Sequence, residues 1–476
     1  MSPASAYRYP ESSVFYRKLN RTFPKIVRGE GCWLFDDSGK KYLDACGGAF
    51  VANLGHGAAE IADAVAEQLR KVAYVNGTAF THDAAEELAA EVTRRCPGLL
   101  NKAYFLCSGS EAVEAALKLA RQYWAEIGRP AKRKILATAP GYHGNTLLAL
   151  SASARGHTKK YFDGWLVDVP TIPAPYSYRC PCSPIARMDR ASGERPAPGS
   201  CSGDCPACSG SALEEAILKE GPETVAAFIV EPIGGSSTGA SVPRNDYHKR
   251  IREICDRHSV LFIADEVLTG AGRTGTWLAL GHYGVAPDIV IMGKGLSGGY
   301  APLSAVVAPR RLLDPIAEAS GALAHAQTFS HTPAICAAGL AAIRAMDRRQ
   351  LIPRVQKMGE LLHRKLKTLL ELPGVGDARG LGLLAGIELV RDKTTREPFP
   401  RSLKIAETLV ETAQELGLVL WPNIGHADGT NGDLVMVAPP FVISEAEIEE
   451  LVSRLRKSIE ITIQPTVTNH PRAERQ

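Results

Sequence analysis

Val260-Leu-Phe-Ile-Ala-Asp265-Glu-Val-Leu-Thr-Gly270-Ala-Gly-Arg-Thr-Gly275 and, after a short connection, Pro287-Asp-Ile-Val-Ile-Met292-Gly-Lys294-Gly295 form the stretch whose reading decides the fold. Leu261–Ala264 and Ile289–Met292 are unbroken apolar runs with the length and continuity of strands buried on both faces. One run delivers a carboxylate just past its end, and the other delivers a lysine between glycines. Ligands in open α/β sheets sit outside the carboxyl ends of the strands. An acid and an amine at two such ends can therefore face one ligand.

Between them, Gly270-Ala-Gly272-Arg-Thr-Gly275 matches the dinucleotide pattern Gly-x-Gly-x-x-Gly by letter. The context fails. Thr276-Trp-Leu-Ala-Leu-Gly-His282 is too short and loop-like for the helix the motif needs, and no acidic residue ends a second strand at the usual distance. The segment reads as a loop.

Working outward, Ala103–Cys107, Lys134–Thr138 and Val225–Val230 read as strands, and Ser110–Ile127 and Asp246–His258 as helices. Strand and helix in alternation predict an α/β fold with a mostly parallel, doubly wound sheet. Towards the N-terminus, residues up to about Arg28 read as an irregular or partly helical arm. A hairpin turn follows at Asp36–Lys40, then a glycine-rich loop at Gly47–Gly57 and helices at Ala58–Val72 and Ala84–Cys96. Towards the C-terminus, a helical run from Thr332-Pro333 reaches Leu372, with Pro353 opening a new helix. Strands at Val375–Ala378, Gly382–Val390 and Leu434–Val437 alternate with helices at Leu403–Leu416 and Glu445–Ile459, the last begun by a Ser444/Glu447 capping box. The polar tail from Gln464 is expected to be disordered. The division expected is 1–75 for an arm and part of a small domain, 76–334 for a large domain and 335–476 for the rest of the small α+β domain. Residues 170–211, rich in Pro, Cys, Ser and Gly, read as an exposed insertion.

At 476 residues the chain exceeds one simple core. Its 45% hydrophobic and 22% charged residues are ordinary for a soluble globular protein. A net charge of +4, with the basic residues scattered, gives no ground for a nucleic-acid partner. No apolar run approaches a membrane span and the N-terminus lacks a signal-peptide core, so a cytoplasmic protein with reduced cysteines is expected.

Ser108-Gly109-Ser110 lies between a strand and a long helix, where backbone N–H groups favour an anion. A plain helix cap uses the same residues. Asp265 and Lys294 say more as a pair. Pyridoxal phosphate chemistry needs a carboxylate to keep the pyridine nitrogen protonated, and a lysine amine that forms the imine and carries the proton.

On these motifs, which occur in the same order along roughly Phe15 to Ile459, the chain resembles the class III pyridoxal-phosphate aminotransferases of fold type I. That group includes the omega-amino acid and amine transaminases. The resemblance implies a phosphate cup at Ser108, Gly109 and Ser110, an aromatic lid at Tyr142 followed by His143, and an acid at Glu231 in Glu-Pro. It places the nitrogen partner at Asp265, an apolar contact beneath the ring at Val267 and the Schiff-base lysine at Lys294. It further implies that Thr328 binds phosphate of the neighbouring subunit, which requires at least a homodimer with the site at the interface. A primary amine or omega-amino acid donor and a 2-oxo acid acceptor are the partners implied, with transfer by a ping-pong cycle.

Two departures stand out. Family members that take alpha-amino acids often pair the substrate carboxylate with an arginine at one of two places, which here resemble Trp421 and Met436; no arginine occurs between Arg401 and Arg454. Either Arg155 holds the acceptor's carboxylate, or the preferred substrate is a bulky amine, a view that Phe50 at the pocket supports. The second departure is Cys180-Pro-Cys182 with Cys201, Cys205 and Cys208, whose spacings suit zinc. Without the strand-turn spacing of a zinc ribbon, a reduced flexible loop is the reading preferred, and no metal is assigned. An aminomutase or decarboxylase would share every cofactor contact, and a non-catalytic binding protein would have no use for Lys294.

Overall fold

The computed structural model describes residues 9–154, 156–180 and 205–468. Its centre is a seven-stranded sheet in the spatial order Leu100–Leu106, Ser304–Pro309, Ile289–Met292, Leu261–Asp265, Val225–Val230, Lys134–Ala139, Thr171–Pro173. The three apolar runs at its middle are buried along their whole length, as strands covered on both faces must be. All neighbours pair parallel except Ser304–Pro309, which runs antiparallel to both of its own. The connection 293–303 explains the exception, being shorter than the dozen or so residues a parallel crossover needs. The mostly parallel α/β sheet is thus as expected.

A second sheet joins Ile26–Glu30, Trp33–Asp36 and Lys41–Asp44 to Leu418–Val419, which lies parallel to Lys41–Asp44 and so brings the two ends of the chain together. The expected irregular arm gives way to a strand already at Ile26. That strand is largely exposed and takes its stability from pairing with Trp33–Asp36. In the turn between the next two strands, the Asp36 carboxylate accepts from Ser38 N and Lys40 N, each at 3.0 Å, and from the Tyr42 hydroxyl at 2.7 Å. The third sheet is antiparallel, in the order Val375–Leu381, Leu384–Leu389, Asp433–Val437, Trp421–Ile424.

Three sequence expectations are corrected. The helical run after Thr332 breaks at Gln350, whose φ is +50°, and the next helix starts at Leu351; Pro353 lies in its first turn, where no intrahelical N–H is required. The final helix does open with Ser444 and Glu447 in reciprocal bonds (2.8 and 3.2 Å), but it continues to Thr468 instead of yielding to a tail at Gln464. Its apolar stripe goes on through Ile459 and Ile463, both buried, so packing outweighs the polar composition. Residues 469–476 lie outside the described residues. The insertion is not exposed at its ends: Thr171–Pro173 adds an edge strand, and Tyr176, Tyr178, Cys180, Cys205 and Cys208 are buried. Among the described residues no helix is long and apolar enough to cross a membrane.

Candidate active site

Asp265 ends its strand, and Lys294 stands two residues beyond the end of the adjacent one. The strands pair Asp265 with Ile291, so acid and lysine leave the same edge of the sheet. The Asp265 carboxylate accepts from His143 Nδ1 at 2.7 Å and from Val267 N at 3.1 Å. His143 is itself buried, and its backbone N–H donates to Ser153 Oγ at 2.8 Å. A carboxylate held by two donors in a buried site keeps one orientation.

Lys294 adopts φ +45° between its glycines, a backbone that L-residues rarely adopt. Its Nζ lies 6.0 Å from the centroid of the Phe50 ring. Phe50, also at positive φ (+64°), meets Trp421 with ring centroids 5.5 Å apart. Met436 sits opposite Trp421 in register but is fully buried. It packs in one apolar cluster with Phe50 and Trp421. Arg155 lies outside the described residues.

Ser108 is the N-cap of the helix Gly109–Glu126, in a capping box with Glu111 whose carboxylate takes Cys107 N and Ser108 N at 2.9 and 3.0 Å. Its hydroxyl accepts from Glu111 N at 3.3 Å. The cap reading therefore holds for Ser108 and leaves the amides of Gly109 and Ser110 at the helix start. A Cβ on Gly109 would lie 2.9 Å from Val267 Cγ1, so glycine here lets the helix end approach the residue that follows the Asp265 strand. Ser110 Oγ donates to Asn145 Oδ1 at 3.0 Å and accepts from Asn145 N at 3.1 Å. Gly144 permits this contact, since a Cβ there would stand 2.6 Å from Ser110 Oγ. Asn145 was not legible in the sequence; its partner lies far along the chain and its loop has no periodicity.

Half-buried Tyr142 is positioned through its backbone N–H, which donates to Glu231 Oε2 at 3.1 Å, while Glu231 Oε1 accepts from Gly235 N at 3.0 Å. Thr328 is exposed in a turn. A cleft of ≈ 280 Å³ opens between Pro140 and Ala154 on one side and the Asn423–Gly429 loop on the other, and neither Asp265 nor Lys294 lines it.

The Gly-x-Gly-x-x-Gly loop serves as a bracket. Beside Asp265, buried Glu266 accepts from Ala279 N and Leu280 N, each at 3.0 Å; burial pushes its carboxyl up to about 6 against the pull of these donors. Arg273, fully buried, donates to Leu383 O at 3.1 Å and Pro439 O at 2.6 Å, tying the loop to the C-terminal region. Outside the site, Cys180, Cys205 and Cys208 are buried together, which corrects the flexible-loop reading for these three. Cys182 and Cys201 lie outside the described residues.

Residues 15–459 match the aminotransferase class-III family, and the chain belongs to it. The chain is a transaminase, an enzyme that moves an amino group between an amine and an oxo acid. It is 38% identical over 451 residues to an uncharacterized aminotransferase of Schizosaccharomyces pombe, covering 94% of this chain and 95% of that one. It is 34% identical to the putrescine–pyruvate aminotransferase of Pseudomonas aeruginosa, covering 94% and 93%. An (S)-enantioselective omega-transaminase from Thermomicrobium roseum superposes with a TM-score of 0.82 at 34% identity, covering 93% and 94%. Class III aminotransferases depend on pyridoxal phosphate, and fold type I accords with these neighbours.

Proposed function

We propose that this transaminase holds pyridoxal 5'-phosphate between Asp265, Lys294 and the start of the helix Gly109–Glu126, and that its donor is a primary amine or omega-amino acid and its acceptor a 2-oxo acid. The observation that carries the reading is the buried His143–Asp265 pair (2.7 Å) one strand away from Lys294. The donor set suits the cofactor: an anion for a pyridinium, an amine for an aldehyde and helix amides for a phosphate dianion.

The chemistry that pyridoxal phosphate supplies when bound is an electron sink for charge developing at the substrate carbon. Asp265 keeps the proton on the ring nitrogen, and His143 keeps Asp265 aimed. Lys294 Nζ takes the proton from the substrate carbon and returns it on the other side of the transfer. The Gly109 and Ser110 amides hold the phosphate, with Asn145 fixing the Ser110 hydroxyl. Tyr142, braced by Glu231, covers the site and excludes water, and Val267 supports the ring from below. Thr328 reaches the phosphate of a second copy, which makes the working unit a homodimer. Phe50 and Trp421 form an aromatic wall with no cation at either family arginine position, which favours an apolar amine; Arg155 is the candidate for the acceptor's carboxylate.

A half-reaction screen tests this. Holoenzyme is mixed with single amines and amino acids while the absorbance of the cofactor is followed. Bleaching by primary amines and omega-amino acids, much slower with alpha-amino acids and absent in Lys294→Ala, is the expected result. No bleaching by any donor, or bleaching undiminished in Lys294→Ala, would refute the proposal. Arg155→Ala should raise the KM for 2-oxo acids, and an unchanged KM removes Arg155 from the site.

A further inference from the structure

We propose that Cys180, Cys205 and Cys208 form a thiolate site for a soft divalent cation, with zinc the ion that best suits it, and that the ion clips the insertion onto the body of the enzyme. The three Sγ atoms all lie within 4.8 Å of one another, and Cys180 and Cys205 Sγ are 3.1 Å apart. Zinc–sulfur bonds of about 2.3 Å in a tetrahedron place sulfurs about 3.8 Å apart, inside that spread. A disulfide needs about 2.0 Å, so the 3.1 Å contact is one between thiols and not a disulfide.

Burial alone does not single out these thiols, because cysteine is a common core residue. Their company does. Cys32, Cys255 and Cys336 are each scattered among aliphatic and aromatic neighbours in the large core. Among the described residues, Cys180, Cys205 and Cys208 by contrast make up with Ala207 a small cluster of their own. A cluster that is nearly all sulfur gains little as a hydrophobic core and much as a ligand set. Thiolates select zinc over the hard cations magnesium and calcium.

The chain delivers the ligands from two short, anchored elements. Cys180 follows the turn Ser177–Arg179, and Cys205 and Cys208 flank the start of the one-turn helix Pro206–Ser209 in Cys-x-x-Cys spacing. The first element is tied to the C-terminal sheet, because Tyr176 and Arg179 both bond Glu388. The second packs on the helix Tyr247–Arg257 of the large sheet; a Cβ on Gly210 would stand 3.1 Å from Ile251 Cδ1. An ion between them joins these two bodies and fixes both ends of the intervening stretch. Each thiol that binds releases its proton to solvent, so affinity rises with pH. The site lies apart from Asp265 and Lys294 in the described contacts, and its role is structural.

The test uses full-length holoenzyme purified without chelator and with a thiol reductant. Elemental mass spectrometry should find about one zinc per chain. A mercurial thiol reagent should release it in step with thiol loss, read with a chromogenic chelator. Cys205→Ser and Cys208→Ser should lose the metal, and Cys96→Ser should keep it. Should the serine variants fail to fold, the wild type decides alone: stripping with a strong chelator should lower Tm and leave the absorbance of the cofactor in place, and added Zn²⁺ should restore Tm. Wild-type protein with well under one zinc per chain that also fails to take up added Zn²⁺ or Cd²⁺ would overturn the proposal. So would a native Cys180–Cys205 disulfide in unreduced peptide maps. None of these readouts depends on transaminase turnover, so the clip and the catalytic reading stand or fall separately.

Discussion

Gly109 shows how little room the proposed phosphate end of the site has. The missing side chain leaves Val267 against the first turn of the helix, and a Cβ would come within 2.9 Å of it. Gly109→Ala must therefore push the helix start away from the Asp265 strand, an overpacking change that typically costs about 1–3 kcal/mol. Much of that should appear as weaker cofactor binding, a rise in Kd of roughly 10- to 100-fold. Val267→Ala in the same chain removes the opposing methyl groups and should recover part of the loss; a double-mutant cycle of cofactor affinity measures the coupling. Additive effects would mean that the two residues do not meet in the holoenzyme. At this scale the sequence was informative wherever chemistry demands a residue type at a fixed place, as for Asp265 and Lys294 at strand ends. It was silent on Asn145, whose bond to Ser110 depends on how two loops approach in space. It named Met436 but not its complete burial, which depends on packing that exists only in the folded chain.

At the level of elements, the insertion departs most from its sequence reading, and Glu388 is the reason. This fully buried carboxylate meets Arg179, the Tyr176 hydroxyl, Arg379 at 2.8 Å and His426 at 3.2 Å. Burial alone would raise its pKa, but Arg379, His426 and Arg179 together hold it well below the usual carboxylate range. Nothing in a Pro- and Cys-rich segment signals that its first residues will neutralise an acid some two hundred positions away, so the segment reads as exposed. Glu388→Gln takes the counter-charge from Arg179 and one of two from Arg379, which keeps Asp377, and should destabilise the fold by about 3–5 kcal/mol at neutral pH. The sign of the pH effect follows from the lowered pKa. The stabilisation is fully present above the unfolded value of about 4.5 and is lost as pH falls towards the folded one. Thermal unfolding against pH should therefore show wild type and variant converging below pH 4.5. The central strands were legible for the opposite reason: Val225–Val230, Leu261–Asp265 and Ile289–Met292 carry their burial in local composition.

For the molecule as a whole, acid stability and assembly make separable predictions. His248, fully buried, donates from Nε2 to Pro232 O at 2.7 Å, and its Nδ1 has no hydrogen-bond partner among the described residues. Protonation would place a charge and an unmatched donor in the core, and burial pushes the pKa down from 6.5 to about 4. The unfolded chain then binds the extra proton first, so stability declines as pH falls from 6.5 to about 4, by roughly 3 kcal/mol in all. Glu266, raised to about 6, acts in the other sense: its contribution is full below 4.5 and is lost as pH rises through 6. His248→Gln removes only the first effect. The stability gap between variant and wild type should accordingly narrow by roughly 3 kcal/mol over that window, measured by urea unfolding at stepped pH.

The proposed assembly turns on Thr328, which is exposed in its own chain although its proposed role is at a phosphate. The exposure makes sense if the residue is completed by a second copy. Mixed dimers decide the matter. Lys294→Ala protomers lack the amine but keep Thr328, and Thr328→Ala protomers have the reverse defect. When the two are unfolded and refolded together, half of the dimers formed at random are mixed. If Thr328 serves the partner's site, each mixed dimer holds one site with both residues intact, and activity should recover to about a quarter of wild type above the residual rate of the parents. If Thr328 serves its own chain, both sites of the mixed dimer remain defective and mixing adds nothing. The recovered quarter can come only from a site assembled across two chains, because no protomer in the mixture carries both groups.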